Sequence, residues 1–284
     1  LIINGARQIR KTMSIRAFGK AHYESVVEMN FVLEEKYRSI FDDGYEVDTI
    51  LKNISMLNPK VKLIPGKTLL FFDELQKCPA CATSLKSFCQ DGRYDVICSG
   101  SLMGIYYEEI ESNAVGFKED YQMHSLDFEE FLWAKGYSEE QVEDLYRHMD
   151  TLTPFSQLEM DTLMGHFKDY MSIGGMPEVV AMFVKNGHFG GTLKLMRQLL
   201  KDYEEDITKY AKNTDKAKIL AVYNHITTFL GKENKKYQIT KVARGARSRE
   251  YIGSVEWLRE AGVVTVCSCL SNEELPIQGN DEAN

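Results

Sequence analysis

The first fifteen residues, LIINGARQIRKTMSI (1–15), predict a strand, a loop and a helix in direct succession. Residues 1–4 are apolar enough for a short buried strand, and a glycine, Gly5, opens the loop that follows. From Lys11 to Lys20 the apolar residues fall at helical spacing among polar ones. We therefore expect the chain to begin with one strand–loop–helix unit.

The loop of this unit fits a phosphate-binding pattern, G-x-x-x-x-G-K-[ST], with one departure. Gly5, Lys11 and Thr12 stand in register with the pattern, whereas Arg10 occupies the position of its second glycine. Backbone N–H groups and the N-terminus of the following helix converge on phosphate in such loops. The lysine reaches the β- and γ-phosphates, and the hydroxyl after it binds Mg²⁺.

A second motif, KTLLFFDE (67–74), is an apolar run that ends in two acids, as a buried parallel strand would. In a Walker B strand, Asp73 would hold Mg²⁺ and Glu74 would orient and deprotonate the attacking water. Two acids at a strand end also occur as a helix N-cap. The lysine–threonine loop upstream makes the nucleotide site the better interpretation.

Strands and helices alternate through the rest of this region. SVVEMNF (25–31) and YDVICSGS (94–101) predict strands, while 33–57 and ATSLKSFCQ (82–90) predict helices. Such alternation, with polar motifs at the carboxyl ends of the strands, predicts an α/β fold with a parallel sheet. The strand that ends in ICSGS offers Ser99 and Ser101 as sensors of the γ-phosphate or of the attacking water, although both could be small turn residues.

The tetrapeptide PGKT (65–68) also contains glycine, lysine and threonine. It precedes a strand rather than a helix, so no helix N-terminus is available there to donate N–H groups. We expect a turn that leads into the strand of residues 67–74.

The pattern of the chain changes twice after this region. We predict a P-loop ATPase core over residues 1–136, a helical lid over 137–214 and a winged-helix-like domain over 215–270, where helix, turn, helix and the strand-like VTVCS (264–268) follow one another. Residues 271–284 are polar and unpatterned, and we expect them to begin a truncated C-terminal region.

Composition is that of an ordinary globular protein, with 44% hydrophobic and 27% charged residues and a net charge of −8. No apolar run is long enough to cross a bilayer, and no secretory signal is present. We therefore expect a cytoplasmic protein with no membrane partner.

Residues 232–249 are an exception to the acidic balance: they hold seven Lys/Arg and one acid, Glu233. They could contact DNA phosphates, form a solvated face, or carry arginines (Arg244, Arg247, Arg249) that reach the ATPase site or a neighbouring domain.

The motifs together resemble a large prokaryotic family of AAA-type ATPases in which a domain of unknown function follows the ATPase module. The segments that carry the resemblance run in order along nearly the whole chain: GARQIRKT (5–12), IPGKTLLFFDELQKCPACATSLKSFC (64–89), DVICSGSLMGI (95–105), LDFEEFLWA (126–134), GGMPEVV (174–180) and VARGARSREYIGSVEWLREAGVV (242–264). The resemblance implies an ATPase core, a helical lid and a winged-helix-like segment.

A Mg²⁺-dependent ATPase is thus the leading prediction, with ATP and Mg²⁺ as cofactors and ATP and ADP as ligands. We expect Lys11 and Glu74 to act in catalysis and Thr12 and Asp73 to bind the metal. The residues expected around the nucleotide are Gly5, Ala6, Arg7, Gln8, Ile9, Arg10, Lys11, Thr12, Met13 and Ser101. The oligomeric state stays open: a homo-oligomer is compatible with the sequence, but no arginine can be assigned as a finger that acts in trans.

Arg10 keeps a second function open, a nucleotide-dependent switch or pseudo-ATPase that acts on partners without turnover. One hypothesis is that Arg10 weakens or distorts the loop, because a residue with a side chain adopts the backbone conformation of that glycine only at some cost. The other is that its guanidinium turns outward or pairs with phosphate, so that binding survives.

Overall fold

The computed structural model describes residues 1–100, 116–211, 215–232, 237–242, 247–267, 269–270 and 281–282. It divides into two compact units, one containing the described residues up to Leu200 and one beginning at Lys201. The finer division into core, lid and winged-helix-like domain stays a prediction.

The first unit is built on a five-stranded sheet. Its strands are β1 (Ile2–Asn4), β2 (Ser25–Asn30), β3 (Thr68–Asp73), β4 (Asp95–Ser99) and β5 (Asp120–Gln122). The order across the sheet is β2-β3-β4-β1-β5, and every pairing is parallel. The predicted α/β fold with a parallel sheet is confirmed.

Helices connect the strands and cover both faces of the sheet. They are α1 (Lys11–His22), a 3₁₀ helix (Glu35–Phe41), α2 (Val47–Leu57), a second 3₁₀ helix (Leu75–Lys77) and α3 (Pro79–Asp91). On one face, Ile15 of α1 packs against Leu69, Phe71 and Ile97. On the other, α2 and α3 cover a larger core that includes Phe31 and Phe72. Because β3 is buried along its whole length, its sequence is a continuous apolar run.

Helix α1 lies unusually close to the sheet at Gly19. A Cβ atom there would come within 2.7 Å of Val26 Cγ2 and 3.0 Å of Leu69 Cδ2. A larger residue there would require the Val26 or Leu69 side chain, or α1 itself, to shift.

Four further helices follow in the first unit: α4 (Phe128–Ala134), α5 (Glu139–Asp150), α6 (Gln157–Ile173) and α7 (Pro177–Asn186). The predicted predominance of helix in this region is confirmed. Helices α4, α5 and α6 each begin with a capping box, which satisfies backbone N–H groups at their N-termini.

The GGMPE motif lies against the backbone of Leu126. The carbonyl of Gly175 in this motif accepts a hydrogen bond of 2.8 Å from Leu126 N. A Cβ at Gly175 would lie 1.9 Å from Leu126 O, so the motif requires glycine there.

The second unit is mainly helical in its described residues. Helix α8 (Thr192–Tyr210) leads into it, followed by α9 (Lys216–Leu230), a 3₁₀ helix (Ile239–Lys241) and α10 (Ser248–Glu260). A short antiparallel pair, β6 (Cys269–Leu270) and β7 (Asp281–Glu282), comes last. The winged helix stays a prediction.

The strand predicted over 264–268 is wrong for residues 264–267, which form no strand. Alternating apolar residues make a strand only where a neighbouring chain offers backbone partners. Here the pairing begins later, at Cys269.

Candidate nucleotide-binding site

Polar residues gather at the carboxyl edge of the sheet. Because all five strands run in parallel, the ends of β1, β2, β3 and β4 meet at the same edge. The loop after β1 carries Gly5, β2 ends at Asn30, β3 ends at Asp73, and β4 ends at Ser99. Strand β4 lies between β1 and β3, so Ser99 stands between the two sequence motifs.

The loop between β1 and α1 requires glycine at its first position. Gly5 has a φ of 151°, and a Cβ there would lie 2.3 Å from Met123 O and 2.7 Å from Ile9 Cδ1. Ile9 is fully buried and anchors the loop to the core. The loop is therefore held at its start by a close backbone approach and in its middle by an apolar side chain.

Arg10 occupies the backbone conformation that a glycine would adopt most easily. It caps α1 with φ 67° and ψ 29°, in the left-handed region. For a residue with a side chain this conformation costs about 1–2 kcal/mol. The side chain of Arg10 is exposed and makes no hydrogen bond or ion pair with the described residues. The backbone thus retains a glycine-like geometry while the guanidinium faces solvent.

Lys11, the first residue of α1, folds back under the loop. Its Nζ donates hydrogen bonds to Gly5 O at 3.0 Å and Ala6 O at 2.7 Å. Burial lowers the pKa of Lys11 to about 8, although the carboxylates of Glu74 and Asp73 oppose the shift. The ammonium group therefore lies inside the loop, in the field of both acids of the β3 motif.

Asp73 is the centre of the site. Its Oδ2 accepts hydrogen bonds from Thr12 Oγ1 at 3.3 Å and from Asn30 Nδ2 at 2.9 Å, and its Oδ1 accepts one from Ser99 Oγ. The carboxylate is buried. Buried charges persist only where several donors satisfy them, so these three side chains hold Asp73 in one orientation.

Asn30 was not predicted from the sequence as a site residue. Its amide nitrogen donates to Asp73, while its Oδ1 accepts from Val32 N at 2.9 Å and Leu33 N at 2.8 Å. Both ends of the side chain are thus fixed, one by the turn after β2. An asparagine at a strand end is a common turn residue, and nothing in its own segment points across to β3.

Glu74 follows Asp73 in a left-handed conformation with φ 62°. Its Oε2 accepts a hydrogen bond of 2.5 Å from Gln76 Nε2, and its backbone N–H donates to Asp73 Oδ1 at 3.1 Å. The turn that contains Glu74 therefore places its carboxylate against Gln76, still close enough to act on the charge of Lys11.

The remaining predicted residues have simpler positions. Ala6, Arg7 and Gln8 lie in the loop, Gln8 with a φ of 65°. Met13 is exposed on the first turn of α1. Ser101 lies outside the described residues, as do Arg244 and Glu233 of the basic segment.

The oxygen atoms of Thr12 and Asp73 suit a magnesium ion. Mg²⁺ prefers oxygen ligands and is usually held by one or two carboxylates together with substrate phosphates. No three His, Cys, Asp or Glu side chains of the described residues converge on one point, as an all-protein metal cage would require. A hydroxyl and one carboxylate therefore fit a site in which the protein and the substrate phosphates together supply the metal ligands.

Two family models match the chain. Residues 1–132 match a model described as an AAA domain, and residues 164–282 match one described as a domain of unknown function (DUF8612). The N-terminal part of the chain thus contains an AAA domain, and a domain of unknown function follows it. This is the arrangement that the sequence motifs predict, and the predicted family is confirmed.

Solved structures with detectable similarity are distant. They include the Walker-type ATPase PABY2304 of Pyrococcus abyssi, at 14% identity over 92% of this chain and 84% of that chain, with a TM-score of 0.47. AMPPCP-bound DnaA from Aquifex aeolicus is 12% identical over 92% and 81%, with a TM-score of 0.32. The Aeropyrum pernix ORC1 protein in complex with DNA is 10% identical over 96% and 79%, with a TM-score of 0.31. No curated protein sequence matches the chain.

Helices long and apolar enough to cross a membrane are absent from the described part of the chain.

Proposed function

We propose that this protein binds ATP together with Mg²⁺ at the carboxyl edge of the sheet and hydrolyses it. The observation that carries the proposal is the hydrogen bond between Thr12 and Asp73, which joins the loop–helix motif to the strand motif at 3.3 Å. Two short motifs 61 residues apart in sequence have no structural need to meet in this way, but nucleotide chemistry requires it.

The phosphates would bind to the loop backbone and the N-terminus of α1, where unpaired N–H groups and the helix dipole favour anions. The ammonium group of Lys11, already inside the loop, would donate to the phosphate oxygens. Thr12 and Asp73 would hold the metal ion, which supplies charge neutralisation of the β- and γ-phosphates when bound. Asn30 and Ser99 act on Asp73 and keep its carboxylate oriented.

Glu74 is the residue that would accept a proton from the attacking water. A general base must lie within hydrogen-bond reach of that water, directly or through a second one. Glu74 Oε2 accepts a hydrogen bond from Gln76 Nε2 at 2.5 Å, so Gln76 would compete with the attacking water for this oxygen of the carboxylate.

This same contact favours the second candidate function, a nucleotide switch that binds ATP without turnover. If Gln76 retains Glu74 when nucleotide is bound, the phosphate site works and the hydrolytic step does not. The two functions use the same residues to bind phosphate and metal. They differ only in whether Glu74 accepts a proton from the attacking water.

Substitution of Glu74 by glutamine separates the two functions. We expect Glu74→Gln to lower the rate of phosphate release by about 10²–10⁴-fold, the usual contribution of a general base, and to leave ATP affinity within about threefold. Phosphate release measures the first quantity and titration with a fluorescent ATP analogue the second. Glu46→Gln is the matched control, because Glu46 is exposed and its side chain caps no helix.

Three results decide between the functions. Turnover that Glu74→Gln abolishes and Glu46→Gln leaves intact supports the ATPase. Tight ATP binding with no turnover by the unmodified protein supports the switch. Absence of ATP binding by the unmodified protein rules out both.

Contact with DNA through residues 232–249 stays a prediction, as do the cytoplasmic location and the homo-oligomer. Four basic residues of that segment are described: Lys232, Lys241, Arg247 and Arg249. A filter-binding assay without salt-sensitive DNA affinity would exclude the contact.

A further inference from the structure

Helix α6 carries a line of exposed apolar side chains that the nucleotide site does not use. Met160, Met164, Phe167 and Met171 are 43%, 43%, 42% and 67% exposed. Their spacing of four, three and four residues places them on one side of the helix, and we name them the α6 seam. Tyr170 and Ile173 of the same helix instead pack into the helical core of this unit. Helix α6 thus has an inner apolar face that is packed into this core and an outer one that stays largely exposed, although Phe167 contacts the ring of Phe128 at 5.3 Å.

The seam forms one side of a groove. Helices α4 and α5 and the turn between α5 and α6 supply the other wall, and the groove has a volume of about 340 Å³. Its lining is apolar and rich in methionine and aromatic rings: Phe128, Leu145, Tyr146, Met149, Phe155, Met160, Leu163, Met164 and Phe167. Methionine side chains adapt to varied partners and recur on surfaces that bind helices.

Acidic residues predominate on two of the helices that line this apolar groove. Helices α4 and α5 carry seven acids, against one arginine and one histidine. The arginine, Arg147, is already paired with Asp144 at 2.6 Å. At the rim, Glu129 accepts a hydrogen bond of 2.9 Å from the groove residue Tyr146. The groove therefore combines an apolar floor with a negative rim.

We propose that the α6 seam and its groove bind an amphipathic helix of a partner protein that carries lysines or arginines beside its apolar stripe. The seam runs from Met160 to Met171, which is eleven steps of about 1.5 Å, or about 16 Å along α6, the length of three helical turns. A spacing of four and three residues is the one that meshes with a second helix. A compact ligand would fill the groove but leave Met171 uncovered. The negative rim selects a basic partner over an acidic one.

A direct test uses the whole protein and two synthetic peptides of eighteen residues labelled with fluorescein. Both have leucine in an amphipathic stripe; one has lysine and the other glutamate at the remaining positions. We expect the lysine peptide to bind in a fluorescence anisotropy titration at least about tenfold more tightly than the glutamate peptide. The doubly substituted Met160→Gln, Met164→Gln protein should bind the lysine peptide about tenfold less tightly, since two apolar side chains lose their contacts without a change of charge.

Met56→Gln provides the control for the double variant. Met56 is 73% exposed on α2, so the substitution changes an exposed methionine away from the groove. It should leave the affinity for the lysine peptide unchanged. Circular dichroism and a thermal melting curve for each variant verify that the fold is retained.

Several results would overturn the proposal. Equal binding of the two peptides would mean that the rim does not select charge, and equal losses in both variants would mean that the peptide binds elsewhere. Light scattering that detects a dimer of the unmodified protein, and a monomer of the double variant, would assign the seam to a second copy of this chain instead.

Discussion

Two segments of this protein contain a lysine followed by a threonine, and they have different environments. In the loop before α1, Lys11 donates to two loop carbonyls and Thr12 donates to Asp73. In the turn before β3, Lys67 forms an exposed ion pair with Glu24 at 2.6 Å, and the Thr68 hydroxyl donates to Lys62 O at 3.0 Å. Each segment matches three of the four fixed positions of the phosphate-binding pattern: the first has Arg10 in place of the second glycine, and the second has Val61 in place of the first.

The difference teaches that the element after the lysine decides the chemistry. A helix that begins at Lys11 supplies unpaired N–H groups and a dipole, and it brings Thr12 to the end of β3. A strand that begins at Thr68 uses its N–H and C=O groups in pairing with β2, and the hydroxyl of Thr68 is satisfied within its own turn. A motif therefore identifies a phosphate site only together with the structure that follows it.

The largest expected effect on ATP affinity is the contrast between substitutions at these two lysines. Lys11→Met should lower ATP affinity by about 100-fold, because a charge-assisted hydrogen bond to phosphate is worth about 1.5–3 kcal/mol. Lys67→Met should leave it within about twofold, since its exposed ion pair contributes little and lies in a turn without a helix N-terminus. Titration with a fluorescent ATP analogue measures both. Similar losses in the two variants would contradict the assignment of Lys11.

A smaller effect is expected from pH. The pKa of Lys11 is lowered from 10.5 to about 8, and phosphate binding favours its charged form. ATP affinity should therefore be constant below pH 8 and fall by up to about tenfold per pH unit above it. Titrations without Mg²⁺ between about pH 7 and pH 9.5 measure the slope.

The two lysine variants serve as controls for this pH dependence. Lys67→Met should retain the fall above pH 8, and Lys11→Met should abolish it. A fall that survives in Lys11→Met would assign the titration to another group.

The smallest effect is expected at Arg10. Arg10→Gly should stabilise the protein by about 1 kcal/mol in chemical denaturation, because glycine relieves the left-handed strain at φ 67°. ATP affinity should change by less than about threefold, since the guanidinium is exposed and the backbone already has a glycine-like conformation. An increase in affinity of tenfold or more would instead support the hypothesis that Arg10 distorts the loop.

Much of the sheet could be predicted because its strands are short apolar runs with polar ends. The strands near residues 1–4, 25–31, 67–74 and 94–101 were expected and are present. Strand β5 (Asp120–Gln122) was not expected, since its three residues are all exposed and give no apolar signal. These residues form a strand because they pair with β1, which is a long-range contact.

The site was predicted in part. The roles of Lys11, Thr12, Asp73 and Glu74 follow from motif and spacing and stay predictions, although the structure brings Lys11 and Thr12 to the acids of β3. The sequence did not indicate that Asn30 and Gln76 belong to the site. Asn30 belongs to it through a hydrogen bond to Asp73 on another strand, and Gln76 through one to Glu74 in the same turn.

The sequence by itself determined the order of the first four strands and the helices between them, and the two motifs, since these depend on residue type and local spacing. Tertiary structure alone decided that β4 lies between the motif strands, that Asn30 and Ser99 orient Asp73, and that one face of α6 stays uncovered. The physical reason is that hydrogen bonds between strands and the burial of a helix face depend on which distant segments meet. Local propensity does not encode that choice.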